Sequence, residues 1–172
     1  KAFEAISKDG SGGYPALAHF RVATEKALSN DRSGAIADFD ALAKDPGASA
    51  DIKAMARLRA ALLTVDDASF ADIQSRIGDL ATVGNPWRQS AREILGLSAW
   101  RAGDYVTSRK YFDQIAYDVG TSKELRERAG IMLSLIAAKI GPEPAPATGA
   151  APATAAPAGG AATPAAPATP TP

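Results

Sequence analysis

The chain has 172 residues, with 19 basic and 19 acidic side chains and no cysteine. A net charge near zero argues against a nucleic-acid partner, because binding nucleic acid normally requires a basic surface. The lack of cysteine excludes disulfides, thiolate catalysis and zinc–thiolate sites. No apolar run reaches the roughly 18 residues that a membrane-spanning helix requires.

The composition divides the chain at Gly141. Nine of the twelve prolines lie in residues 142–172, where Glu143 is the only charged residue. Such a segment has too little apolar surface to form a core, so we expect residues 141–172 to be a disordered, partly polyproline-like tail. Residues 1–140, by contrast, are long enough to bury a core without disulfides or metal ions.

A repeated motif runs through the first 140 residues. FEAISKD at residues 3–9 returns as FDALAKD at 39–45 and as FDQIAYD at 112–118, with a weaker copy, IGDL, at 77–80. The copies begin 36, 38 and 35 residues apart, close to the roughly 34-residue period of a tetratricopeptide array. Each copy has the apolar spacing of the second helix of a helix pair, and such a pair must stack on its neighbours to bury its apolar face. We therefore predict an all-α, tetratricopeptide-like right-handed solenoid of antiparallel helix pairs.

The predicted units follow one another in chain order. Residues 1–8 are interpreted as the end of a preceding repeat, whose first helix is not in this chain. The predicted units after it are three repeats and a C-terminal capping helix, over residues 14–46, 50–83, 85–119 and 121–140.

Capping residues set two of the predicted helix starts. Asn85 is a good N-cap, and Pro86 would occupy the first helical position, where its missing N–H costs nothing. Thr121 followed by Glu124 fits a capping box at the start of the last helix.

The third repeat is predicted to be the best formed. A tight turn at Gly103-Asp104 joins its two helices. Gly96 would let these helices approach closely, with Ser108 opposite and Phe112 filling the space between repeats. In the first repeat, the predicted apolar contacts of the first helix are Leu17, Phe20, Val22 and Leu28.

Three stretches carry a family resemblance: NPWRQSAREILGLSAWRAGDY, KYFDQIAYD and LRERAGIMLSLIAA. They resemble the alphaproteobacterial membrane-anchored tetratricopeptide-like proteins, which are related to the domain shared by the ancillary Sec translocon subunit and the cell-division coordinator of the envelope. The resemblance implies the periplasmic part of an inner-membrane protein, tethered by a transmembrane segment absent here. It also implies contact with the translocon, with envelope chaperones or with secreted chains.

No catalytic constellation stands out in the sequence. His19 is the only histidine, and no nucleophile-elbow motif accompanies it. Asp66 and Asp67 lack the spaced ligands of a calcium loop, and the early glycines are not followed by the Lys-Ser/Thr of a phosphate loop. The arginines alternate with acidic residues, which is typical of a solvated face. We therefore expect no enzymatic activity, no catalytic or metal-binding residue and no cofactor.

The remaining candidate is the concave groove that the first helices of a tetratricopeptide array line. The residues predicted to face it are Ser90, Glu93, Leu97, Trp100 and Arg101 in the third repeat, and Met55 and Leu62 in the second. Trp100 with Arg101 is the preferred contact, because Trp and Arg most often dominate binding energy at interfaces. Alternatively, Trp100 packs against the next helix.

Two functions of different class are compatible with these features. The first is a non-catalytic scaffold whose groove binds another protein. The second is a structural module of the cell envelope that acts through self-association. The sequence alone does not identify the partner, so both functions are kept as hypotheses.

Overall fold

The computed structural model describes residues 3, 5, 7 and 13–141, and all regular structure among them is helical. Seven α-helices lie in residues 13–141, which confirms the predicted all-α class for this part of the chain. They are α1 (Tyr14–Leu28), α2 (Arg32–Lys44), α3 (Ala50–Thr64), α4 (Phe70–Ile77), α5 (Arg88–Arg101), α6 (Tyr105–Ala116) and α7 (Lys123–Ile140), with a 3-10 turn at Gly78–Ala81. The predicted tail over residues 142–172 lies outside the described residues, as does most of the predicted repeat end at residues 1–8.

Each helix contacts the helix that follows it in the chain. In addition, α1 contacts α3, and α3 contacts α5. Helices α1, α3 and α5 therefore contact one another in turn, although an even-numbered helix separates each pair in sequence.

Side-chain caps explain where most of these helices begin. In each case an oxygen of the N-cap side chain accepts a hydrogen bond from a backbone N–H in the first turn, which would otherwise lack a partner. The N-cap residues that do so are Asp31 for α2, Ser49 for α3, Ser69 for α4, Asp104 for α6 and Ser122 for α7.

Two predicted helix starts are wrong by one or two residues. The Asn85 side chain accepts a hydrogen bond from the backbone N–H of Trp87 at 2.8 Å, which closes a turn before α5 begins at Arg88. The N-cap of α7 is Ser122, while Thr121 is buried and donates its hydroxyl to the Ile115 carbonyl at 2.8 Å. Local side-chain bonds thus compete with the predicted caps and shift the boundaries.

The core between α1, α2 and α3 consists mostly of alanine. Six of its eight fully buried residues are alanines, and Phe39 and Leu42 are the other two. The prediction that Leu17 and Leu28 are core contacts is wrong, since they are 55% and 74% exposed. The buried residues of α1 are instead the small side chains of Ala16, Ala18 and Ala23.

Larger side chains fill the core further along the chain. One cluster joins α3, α4, the 3-10 turn and α5 around Ile73, Ile77 and Leu95. Another joins α6 and α7 through Phe112 and Ile136, with side chains of α5 packed against it. The helices of the second half are thus held by branched aliphatic and aromatic side chains.

Gly96 on α5 lies against α6, as the sequence predicts. A Cβ atom built on Gly96 would be 2.8 Å from Cε2 of Phe112, closer than atoms can pack. The Ser108 hydroxyl donates a hydrogen bond to the Gly96 carbonyl at 2.8 Å. Gly103, in the turn between the two helices, has a φ of +77°, a conformation that favours glycine. The predicted placement of Ser108 opposite Gly96 is confirmed. The Phe112 ring, predicted to lie between repeats, lies against Gly96 itself.

Arginines of the odd-numbered helices bind aspartates that follow the next helix. Arg57 on α3 binds Asp79 in the 3-10 turn through two side-chain hydrogen bonds. Arg88 on α5 binds Asp118, just after α6, at 2.6 and 2.9 Å. These bidentate pairs connect α3 and α5 to the segment that follows the next helix.

Arg92 departs furthest from the predicted solvated face of arginines. Its side chain is buried, and its guanidinium donates to the carbonyls of Ala81 and Gln114 and to the Asp118 carboxylate. The reason is that three protein acceptors converge on this position, so the buried charge is both paired and hydrogen-bonded.

Asp118 is held in its ionised form by these contacts. Hydrogen bonds from Arg88, and then from the Gly120 N–H and from Arg92, keep the pKa of the Asp118 carboxyl well below its usual range. Because the folded-state pKa is lowered, Asp118 stabilises the fold above the unfolded-state value of about 3.9. That contribution is lost as the pH falls through the folded-state pKa.

Candidate protein-binding groove

A groove with a volume of about 480 Å³ lies between α3, α5 and α7. Its wall is mostly apolar. The residues that line this groove are Met55, Leu58, Arg59, Leu62, Trp87, Ser90, Glu93, Ile94, Leu97 and Arg128. All three helices are odd-numbered, and two of them, α3 and α5, contact each other directly.

Helix α3 contributes one continuous face to the groove. Met55, Leu58, Arg59 and Leu62 are spaced three, four and seven residues apart, which places them on the same side of a helix. Leu58 is buried at the base, whereas Leu62 is 47% exposed. An apolar side chain of this size that is half open to solvent is available for contact with a partner.

Helix α5 contributes the opposite face with the same spacing. Ser90, Ile94 and Leu97 follow one another along one side of this helix, and Trp87 precedes them by one turn. The indole N–H of Trp87 donates to an Asp51 carboxylate oxygen at 3.3 Å, which fixes the ring at the end of the groove. The groove thus has an aromatic wall at one end.

Charged side chains occur only at a few points of the groove wall. Arg128 on α7 donates two hydrogen bonds, at 2.9 and 3.1 Å, to the carboxylate of Glu93 on α5. This pairing raises the pKa of the Arg128 guanidinium further above its usual value. The pair connects α5 to α7 and neutralises both charges.

Five of the seven predicted groove residues line this groove: Met55, Leu62, Ser90, Glu93 and Leu97. Trp100 and Arg101 do not. The Trp100 ring is half-buried and lies 4.9 Å from the Tyr105 ring, against the cluster formed by α6 and α7. Arg101, at the end of α5, donates a hydrogen bond to the Ala68 carbonyl. Trp100 thus adopts the alternative packing against the next helix, and Arg101, although exposed, contacts the backbone before α4 rather than the groove.

Sequence reasoning missed half of the groove wall. Leu58 and Arg59 lie three and four residues after Met55, so extending the helical spacing from that residue would have found them. Trp87 precedes its helix, and Arg128 belongs to the last helix. No pattern in the sequence connects these two positions to α3.

His19, the only histidine, is not part of the groove. Its Nε2 atom lies 3.9 Å from an Asp38 carboxylate oxygen. Within residues 3, 5, 7 and 13–141, no group of three or more metal-ligating side chains is placed to hold a metal ion.

Comparison with known proteins adds no relative. No protein-family model, curated protein or solved structure matches the chain. Among the described residues, no helix combines the length and apolar character needed to cross a bilayer.

Proposed function

We propose that this chain is a non-catalytic interaction scaffold whose groove binds a segment of another protein. The observation that carries this proposal is the continuous apolar wall that α3 and α5 build from residues of matched helical spacing. Grooves of this kind receive peptide segments through a few anchoring side chains. The half-exposed Leu62 is the clearest anchor point.

We further propose that the helices form a tetratricopeptide-like right-handed solenoid of antiparallel pairs, with α7 as its cap. The motif spacing supports this arrangement, as do the direct contacts of α1 with α3 and of α3 with α5. The close approach at Gly96 is also what a paired helix requires. In such a solenoid the odd-numbered helices would line the concave side, where the groove lies.

The cellular setting is proposed from the family resemblance alone. On that basis the chain is the periplasmic part of a protein anchored in the inner membrane. Its partners would be the Sec translocon, envelope chaperones or secreted chains. A pull-down of the full-length protein, followed by mass spectrometry, tests this setting: a set of partners dominated by cytosolic proteins would contradict it.

Placing a photo-crosslinking amino acid at position 62 tests the groove directly. We expect the side chain at this position to form covalent adducts with partner protein in cells, because Leu62 is half-exposed in the groove wall. Leu17 on α1 is a matched control, being equally exposed but outside the groove. Adducts are identified by mass spectrometry, and equal yields of the same adducts from both positions would contradict the proposal.

A charge introduced at the same position should abolish partner binding. We expect Leu62→Asp to lower the affinity for the partner identified by crosslinking at least tenfold, as loss of a central anchor usually does. Leu17→Asp should leave its affinity unchanged. Thermal unfolding should be nearly the same for both variants, since neither side chain is buried.

A second candidate function, self-association, is favoured by one feature of α7. Ile131 and Leu135 are 62% and 47% exposed, and their spacing of four residues places them on one side of the helix. A Cβ atom built on Gly130 beside them would meet no neighbouring atom within 4 Å. Another helix could pack closely on this open apolar face.

Sedimentation velocity across a concentration series tests self-association. If this function holds, the wild-type chain should dimerise without a partner, and Ile131→Lys with Leu135→Lys should restore the monomer. The control Val106→Lys changes an equally exposed apolar residue on α6. A wild-type chain that stays monomeric at all concentrations would contradict this function and leave the groove as the site of action.

A further inference from the structure

Among the residues that the structure describes, Arg59 is the one charged side chain of the groove wall without a partner of opposite charge. It lies on α3 between the apolar residues Leu58 and Leu62, and its side chain is exposed. Within the part of the chain that the structure describes, it forms no ion pair and no hydrogen bond. It also borders a small cavity of about 60 Å³ that Thr24 and Phe39 line, so it stands where the groove meets α1 and α2.

The charges of the groove therefore do not cancel. Arg59, Glu93 and Arg128 are its charged residues, and the last two neutralise each other through their bidentate pair. One positive charge remains, on Arg59. A partner that covers the apolar wall must also remove water from this guanidinium, which is costly unless the partner supplies an acceptor of opposite charge.

We propose that the groove selects an apolar peptide segment carrying one carboxylate side chain, which pairs with Arg59. This inference depends on the proposed function, because it names the chemistry of the segment that the groove binds. The planar guanidinium matches a carboxylate through two parallel hydrogen bonds. A neutral segment would leave Arg59 unpaired, and a basic segment would be repelled.

A phage-displayed library of random 12-residue peptides tests the inference on the full chain. Peptides selected on the wild-type chain are counter-selected on Leu62→Asp, so that only groove-dependent sequences remain. We expect these sequences to combine several apolar residues with at least one Asp or Glu. The affinity of a selected peptide is then measured by fluorescence anisotropy, together with its amide variant, in which the acid is replaced by Asn or Gln.

The amide variant should bind the wild-type chain three- to tenfold more weakly than the acidic peptide. In Arg59→Gln this difference should fall below twofold, and in Arg59→Lys most of it should return because the charge is restored. Arg21→Gln is the matched control, since Arg21 is an exposed arginine on α1 outside the groove, paired with Glu25. This control should keep the full preference for the acidic peptide.

Two different failures are distinguishable. If no groove-dependent peptide is selected, the proposed function is wrong and the inference fails with it. If groove-dependent peptides are selected without acidic residues, or if Arg59→Gln keeps the preference for the acid, only the inference is overturned. Arg59 has no bond to lose among the described residues, so Arg59→Gln should unfold at the wild-type temperature.

Discussion

Replacing Arg92 with alanine is expected to lower the free energy of unfolding by about 3 kcal/mol, because it removes one partner of a buried ionic cluster. Arg92 is only 4% exposed and donates hydrogen bonds to the carbonyls of Ala81 and Gln114 and to the Asp118 carboxylate. Its loss leaves two carbonyls without this donor. Asp118 keeps Arg88 as a partner, which limits the loss of stability. Urea denaturation followed by circular dichroism measures the effect.

Arg126→Ala is the matched control for this prediction. Arg126 also donates to backbone carbonyls near the end of α6, those of Asp118 and Thr121, but it is exposed to solvent. Water can replace its bonds, so we expect a loss below about 1 kcal/mol. Arg92→Lys should fall between the two alanine variants, because an ammonium cannot reach the three acceptors in the way the planar guanidinium does. Equal losses of unfolding free energy for Arg92→Ala and Arg126→Ala would contradict the prediction that the buried arginine contributes more to stability.

Gly96→Ala should also destabilise the fold, although alanine is the better helix former. The added methyl group would lie 2.8 Å from Cε2 and 3.0 Å from Cζ of the buried Phe112 ring. Relieving this overlap requires α5 and α6 to separate or the ring to rotate, which typically costs about 1–3 kcal/mol. At Gly130, where a methyl group meets nothing within 4 Å, the same substitution should stabilise the protein by about 0.5–1 kcal/mol.

The two glycine variants are best compared with each other. Both glycines lie within helices, so the change in helix propensity is similar and the difference in unfolding free energy reports the close contact at Gly96. We expect this difference to be about 2 kcal/mol. Combining Gly96→Ala with Phe112→Leu should cost less than the sum of the single changes, because the smaller side chain makes room for the methyl group. Strict additivity would show that Phe112 does not limit the space.

Much of the helical organisation could be predicted from the sequence because it depends on local rules. The repeated motif located α2 and α6, whereas its weaker copy at residues 77–80 lies mostly in the 3-10 turn after α4. The predicted placement of Ser108 opposite Gly96 is confirmed by their hydrogen bond. Helix starts were less accurate. Asn85 and Thr121 each form a hydrogen bond other than the predicted cap, and the sequence does not show which bond is preferred.

The groove could be predicted only in part, for a physical reason. Helical spacing shows which residues of one helix share a face, so Met55 could be grouped with Leu62, and Ser90 with Leu97. It does not show which neighbouring helix covers the end of that face. Tyr105, on α6, packs against the Trp100 ring, so this ring does not line the groove. Contacts between helices depend on how α6 and α7 pack against α5, which helical spacing within α5 does not show.

The alanine-rich contacts of α1, α2 and α3 have a consequence for how this part of the protein can evolve. At Ala23, Ala35, Ala56 and Ala60, which are fully buried, every substitution except glycine adds atoms to the core. Around Phe112 and Ile136, most substitutions remove atoms and leave cavities instead. These alanines are thus constrained by an upper limit on side-chain volume, whereas Phe112 and Ile136 are constrained by a lower one. Opposite size preferences should therefore distinguish the two sets of positions in any large collection of functional variants.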